Sequence, residues 1–204
     1  MDLFLEGVVI GFAVAAPVGP IGVLCIRRTL ADGRASGFVS GLGAATADAA
    51  YGAIAALGLT FVTGLLVGAE PWLRLLGGVF LVFLGVRTFL SRPAERPATE
   101  GKGDLMGAYA STFVLTLTNP TTILSFAAIF AGLGAGSVGG DALPAVLLVP
   151  GVFLGSTVWW FALSGVTSLL RARLSACGLR WVNRVSGAVI AAFGVVALSG
   201  VNFG

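Results

Sequence analysis

From Gly37 to Gly68 the chain carries a single formal charge, Asp48, over more residues than a helix needs to cross a lipid bilayer. In hydrocarbon every backbone N–H and C=O must find a partner inside the protein, so such a run admits a helix or a strand of a closed barrel and little else. This run is continuously apolar and lacks the alternation of a lipid-facing strand, which selects the helix. Five further charge-poor runs, at 3–26, 73–91, 107–134, 143–170 and 181–201, bring the expected number of spans to six. Only 10% of the 204 residues are charged and 57% are apolar, against about 25% charged in an ordinary soluble domain. The expected class is therefore an all-α membrane protein.

The basic residues alternate between connections. Arg27, Arg28 and Arg34 follow the first span, Arg87, Arg92, Arg96 and Lys102 surround the third loop, and Arg171, Arg173, Arg180 and Arg184 belong to the fifth. The opposite connections hold Glu70 with Arg74, or Asp141 alone, and Asp2 precedes the first span. The Lys/Arg bias predicts that the arginine-rich loops are cytoplasmic and that both termini lie outside, in a multi-pass membrane protein. Asp2 and Glu6 stand where a signal peptide carries positive charge, so the first segment is expected to stay in the mature chain. The net charge of +3 is then a topology signal and not a nucleic-acid footprint.

Residues 1–91 and 107–204 read as two three-span units joined by a cytoplasmic linker at 92–106. That linker is too short for a catalytic, ATP-binding or sensor domain. With no histidine and no Cys-x-x-Cys, a metal cage of imidazoles or thiolates is not expected, nor is any cofactor. The expected partners are a small-molecule substrate and membrane lipid, with a homodimer left open.

An odd number of spans per unit turns the second unit upside down relative to the first. Each unit opens with a span interrupted by proline: Ala16-Pro17-Val18-Gly19-Pro20-Ile21-Gly22 in the first and Thr118-Asn119-Pro120-Thr121-Thr122 in the fourth. Each unit closes with two glycines seven apart, Gly78 and Gly85 in the third span, Gly187 and Gly194 in the sixth. Proline removes a donor and clashes with the preceding turn. Paired interruptions of this kind in inverted halves point to a transporter's midplane site, where unwound backbone is free to bind substrate. Kinks made only for packing are the alternative. Small residues in Gly37-x-x-x-Gly41, Gly43, Ala44, Ala45 and Ala47, and the pairs Gly7/Gly11, Gly64/Gly68 and Gly151/Gly155, read as close helix approach.

Asp48 lies eleven residues into its run, about 17 Å deep at ~1.5 Å per residue, near the middle of a hydrocarbon layer of about 30 Å. An ionisable group there is expensive unless it faces water or a partner, and so marks an ion, proton or substrate pathway. The alternative is a protonated acid hydrogen-bonded to a neighbouring helix. Tyr51, three residues on, shares its helix face and is expected to donate to it. Aligning Gly43 with Gly155 sets Trp160 opposite Asp48 as an aromatic wall, whereas Trp72 and Trp181 at span ends read as interface anchors.

Pro17-Val18-Gly19-Pro20 followed by Arg27, Gly33 and Gly37, then Asp48, then Asn119-Pro120-Thr121-Thr122-Ile123-Leu124, resemble the LysE/RhtB amino-acid exporters over essentially the whole chain. The resemblance implies a six-span inner-membrane exporter of amino acids or similar metabolites, driven by the membrane gradient. Val18 is inserted relative to the family's Pro-Gly-Pro. Exporters of basic amino acids in the family carry an acid shortly after the Asn-Pro, where Thr121 to Phe126 here contain Ser125 and no acid. That absence turns the expectation toward a neutral amino acid or related metabolite.

The expected site thus comprises Asp48 for the coupling proton or the substrate ammonium, and Pro17, Gly19, Pro20, Tyr51, Asn119, Pro120, Thr121, Thr122, Ser125 and Trp160 for the substrate, with no catalytic or metal-binding residue. Two other functions compete. A membrane thiol-disulfide electron carrier needs a proximate thiol pair, yet Cys25 falls near the inner end of the first span and Cys177 in the fifth loop. A divalent-cation exporter asks for several hard oxygen ligands, of which Asp48 is one.

Overall fold

The structure, a computed structural model, describes residues 3–17, 19–56, 68–91, 104–133, 142–171 and 174–201. These form eight helices and no strand: α1 (Leu3–Ala15), α2 (Pro20–Asp32), α3 (Arg34–Ala56), α4 (Glu70–Leu90), α5 (Leu105–Leu117), α6 (Pro120–Leu133), α7 (Ala142–Arg171) and α8 (Ala176–Ser199). Segments Pro71–Leu90, Val146–Arg171 and Cys177–Ser199 are each long and apolar enough to cross a membrane alone. The surface is the inverse of a water-soluble one. Leu76, Phe83, Val146, Phe161, Leu169, Val185 and Val196 are exposed, while Ser40, Asp48, Thr112, Ser156 and Asn183 are buried. Such an arrangement is stable when the solvent is lipid, because apolar side chains cost nothing there and polar groups must be satisfied inside.

The first and fourth expected spans are broken at the predicted prolines. α1 stops at Ala15 and α2 restarts at Pro20, running to Asp32 beyond the predicted end at 26, with an angle of 81° between the two axes. α5 stops at Leu117 and α6 restarts at Pro120. α4 begins at Glu70 and α8 at Ala176, earlier than the charge pattern suggests, so Arg74, Arg180 and Arg184 are helical residues and not loop residues. The Ser175 hydroxyl accepts from the Gly178 N–H at 3.2 Å and starts α8 there. Part of the second expected span (57–67), most of the linker (92–103) and residues 134–141 lie outside the described residues.

One residue, Gly33, reverses the chain between α2 and α3. Its φ of 106° is a conformation only glycine adopts without strain, and its N–H closes on the Arg28 carbonyl.

Glycines set the helix contacts. A Cβ on Gly78 would meet the Gly194 carbonyl at 3.1 Å, and one on Gly85 the Gly187 carbonyl at 2.7 Å; the reverse substitutions meet Gly78 and Gly85 in turn. The two glycine pairs that the spacing singled out therefore face one another, and α4 runs antiparallel to α8. Gly7 and Gly11 meet Gly151 and Val152, so α1 runs parallel to α7, and Gly43 meets Tyr109 and Phe113 while Tyr51 reaches Leu117, so α3 and α5 are parallel too. Gly41 abuts Trp160 and Gly52 abuts Val152, which makes α3 and α7 antiparallel. Thus α3 packs against α5, the helix before the second break, and α7 packs against α1, the helix before the first.

Backbone obstacles cannot rotate away. Gly187→Leu is expected to force α4 and α8 apart, since its Cβ would lie 2.7 Å from the Gly85 carbonyl and from the Phe89 Cα, at a cost of about 3 kcal/mol. A lower unfolding midpoint of the purified protein in detergent checks this. Gly68→Leu, with no described residue within 4 Å of the added Cβ, should leave the midpoint unchanged.

Candidate functional site

The two breaks are built differently. Asn119 precedes Pro120, whose missing N–H and fixed φ suit the first helical position, and the Asn119 Oδ1 accepts from the Thr121 N–H at 3.1 Å while its carbonyl accepts from Thr122 and Ile123. Asn119 is thus the N-cap of α6. At the first break Gly19 precedes Pro20, its N–H returns to the Pro17 carbonyl at 3.0 Å, and no side chain caps the first turn of α2. That turn keeps its positive end for something else.

Both restarts open on one cavity of about 350 Å³. Pro17, Gly19 and Pro20 line it at the first break, Asn119, Pro120, Thr121, Thr122 and Ser125 at the second, and Asp48 and Trp160 join from α3 and α7. Every expected site residue except Tyr51 is therefore gathered on one wall or another of the same space. The Ser125 hydroxyl donates to the Thr121 carbonyl at 2.8 Å, so it offers the cavity its lone pairs.

Asp48 is buried, with 3% of its surface exposed, yet it is not without a partner. The Ser156 hydroxyl donates to its Oδ2 at 2.7 Å, and the Trp160 indole Nε1–H donates to the Ser156 oxygen at 3.1 Å. Ser156 and Trp160 are one turn apart on α7, so a single helix face supplies both links. The expected acid and aromatic wall are connected through a serine that sequence reasoning passed over. Its only signal was a hydroxyl at the right spacing from Trp160 in an apolar run.

Tyr51 corrects another expectation. Its hydroxyl donates to the Leu117 carbonyl, the last of α5, and its ring stacks on Phe126 of α6 at 5.7 Å, so it does not pair with Asp48. It ties both sides of the break between α5 and α6 to α3 and satisfies a carbonyl that a helix end leaves orphaned. Tyr51→Phe keeps the ring but strands that carbonyl, with an expected loss of about 1–3 kcal/mol, read as a lower unfolding midpoint. Because Tyr51 is outside the cavity lining, any substrate KM should stay where it is.

Away from the cavity, α2 is fastened by adjacent arginines. Arg28 Nη1 donates to Ser40 Oγ (2.8 Å), Thr112 Oγ1 (2.8 Å) and the Ala108 carbonyl (2.9 Å), and Nη2 donates to Ser111 Oγ (2.8 Å). Arg27 reaches the other way, to buried Asn183 on α8 and to Ser91 after α4, besides a 3.3 Å contact with Asp32.

Arg74 is the second charge at the cavity, brought there by α4 together with Gly77, Gly78 and Leu81 on the same helix face. Both cysteines are free, Cys25 buried and Cys177 exposed. Among the described residues no three His, Cys, Asp or Glu side chains gather as a metal set.

The sequence profile of the LysE type translocators matches residues 12–200. The "Putative amino acid efflux protein YcgF" of Bacillus subtilis (strain 168) is 29% identical over 198 residues, covering 95% of this chain and 94% of that protein. The "Uncharacterized membrane protein YahN" of Escherichia coli (strain K12) is 28% identical over 178 residues, 82% of this chain and 76% of its own length. No solved structure matches. A profile spanning nearly the whole chain, on a bundle whose outer surface is apolar and whose polar groups turn inward, fixes the assignment: this is a multi-pass membrane protein of the LysE type translocator family, a transporter and not an enzyme.

Proposed function

We propose that the chain is a secondary active exporter of amino acids or related small metabolites across the bacterial inner membrane, coupled to protons through Asp48. The observation that carries this reading is that both helix restarts and the buried acid line one cavity. The efflux designation of the Bacillus subtilis relative supports the substrate class. The uncapped first turn of α2 attracts a carboxylate through its N–H groups, Asn119 and the hydroxyl-bearing residues after it complete that side, and Asp48 takes an ammonium or the coupling proton.

Six spans in two inverted halves complete the reading. The directions of the helix pairs support it: α1 with α7 and α5 with α3 are parallel, while α3 with α7 and α4 with α8 are antiparallel, as alternate threading of six spans requires. The cavity is lined by the start of α4 and the end of α8, and the Arg27 and Arg28 bonds hold the far end of α2. With both termini periplasmic and the loops from Arg27, Arg92 and Arg171 cytoplasmic, this is an outward-facing state closed on the cytoplasmic side. Rocking of one half against the other alternates access.

The test is radiolabelled uptake into inverted vesicles, screened over all amino acids with and without a pH gradient. Gradient-dependent accumulation of one or more of them is expected. Accumulation of none, with growth protection against divalent metals instead, overturns the reading in favour of a cation exporter.

A further inference from the structure

We propose that Arg74 recognises the substrate carboxylate, so that the cavity discriminates amino acids from amines of the same shape. The proposal rests on the exporter reading and adds to it a residue that the sequence pattern assigns to a membrane-surface loop.

Among the described residues that line the cavity, Asp48 and Arg74 carry charge. A low-dielectric site that offers both an acid and a base suits a ligand that carries one of each charge. Apolar walls from Val14, Leu81, Leu124, Phe193 and Val196 offer the rest of the ligand an uncharged surface.

The two charges flank the same break. Asp48 lies one turn before Tyr51, whose hydroxyl is bonded to the Leu117 carbonyl. Arg74 lies one turn before Gly77, where an added Cβ would come within 3.1 Å of the Thr118 carbonyl. The end of α5 therefore stands between them, and Asn119 and Pro120 follow directly into the cavity. A ligand held at that break meets acid from α3 and base from α4.

The Arg74 guanidinium is held in place by the protein. A Cβ built on Gly200, just after α8, would lie 3.5 Å from its Cζ, so the group rests against the carbonyl end of that helix, a position that favours a cation. It has interactions within the protein, and five N–H donors in a planar fork leave more than one partner's worth of capacity. The same fork binds a carboxylate in two parallel hydrogen bonds, which an ammonium cannot.

The test uses the full-length protein in vesicles with radiolabelled L-leucine, L-threonine and L-alanine, with L-lysine and L-glutamate as charged controls and 3-methylbutylamine, leucine without its carboxylate, as competitor. The wild type should transport at least one of the three neutral amino acids in preference to the charged pair. Arg74→Gln should raise KM for that substrate about tenfold or more, the loss of one charge-assisted pair, with inhibition by the amine unchanged. Arg74→Lys should recover part of the affinity.

An Arg74→Gln protein with KM within about twofold of wild type, or one that loses amine inhibition as much as amino-acid transport, overturns the assignment while the exporter reading stands. A wild type that prefers lysine or glutamate also overturns it. A wild type that moves no amino acid removes the exporter reading and this proposal together.

Discussion

Asp48→Asn is expected to give a folded, membrane-inserted protein whose efflux falls to the rate of empty vesicles at every imposed pH gradient. The amide keeps the volume of the acid, and its oxygen still accepts from Ser156, which stands 2.7 Å from Oδ2. The link from Ser156 to Trp160 should therefore persist. What is lost is the proton that a carboxyl takes up and releases, and with it the means of coupling. Replacing an ionisable group at this depth should, if anything, ease insertion. Asp48→Glu still titrates but carries an extra methylene into a site closed by Ser156, so partial, gradient-dependent efflux is expected. Undiminished, gradient-dependent efflux by Asp48→Asn would sink the coupling role. A variant that exchanges substrate across the membrane but cannot concentrate it would place Asp48 on the proton path alone.

Asp48 was legible because a charge among apolar residues has few explanations, and hydrocarbon leaves little room for accident. The breaks were legible because Pro20 and Pro120 stand beside residues that end or restart a helix, Gly19 before the first and the capping Asn119 before the second, whereas Pro150, without such a neighbour, is carried inside α7. The glycine spacings, read from sequence as a mark of the repeat, turn out to make the contact of α4 with α8, because only a missing Cβ lets two backbones approach to the distances seen at Gly85 and Gly187.

Other features were hidden by the same rules that made these visible. A serine in an apolar helix usually returns its proton to the carbonyl four residues back, as Ser40 and Ser164 do here, so Ser156 gave no sign that it points across to α3 instead. Tyr51 shares a helix face with Asp48, but sharing a face says nothing of which neighbour's carbonyl lies nearer its hydroxyl, and the end of α5 proved to be that neighbour. Arg74 was read as a loop residue because charge marks the ends of spans. It is helical, and α4 brings it to the cavity wall with its guanidinium beside Gly200.

The second large effect is expected at Arg28. Its cradle is made of oxygens whose own protons are already spent: Ser40 donates to the Ser36 carbonyl, Thr112 to Ala108 and Ser111 to Gly107. Lone pairs alone face the guanidinium, and Arg28→Met leaves each hydroxyl still bonded within its own helix. The bundle should therefore fold, but α2 loses four charge-assisted bonds to α3 and α5 while Arg27 alone still holds it to Asn183 and Ser91. If these bonds close the cytoplasmic side, removing them shifts the population toward the opposite opening. Cys25, one turn before Arg28 and only 1% exposed, is a built-in reporter. In a Cys177→Ser background, its labelling by a membrane-impermeant thiol reagent from the cytoplasmic face should quicken about tenfold in Arg28→Met, within the 1–3 kcal/mol by which coupled states are usually biased. Net efflux should fall as the outward state is depleted. Unchanged labelling together with unchanged efflux would show that the arginine only packs α2 against its neighbours and that the gate lies elsewhere.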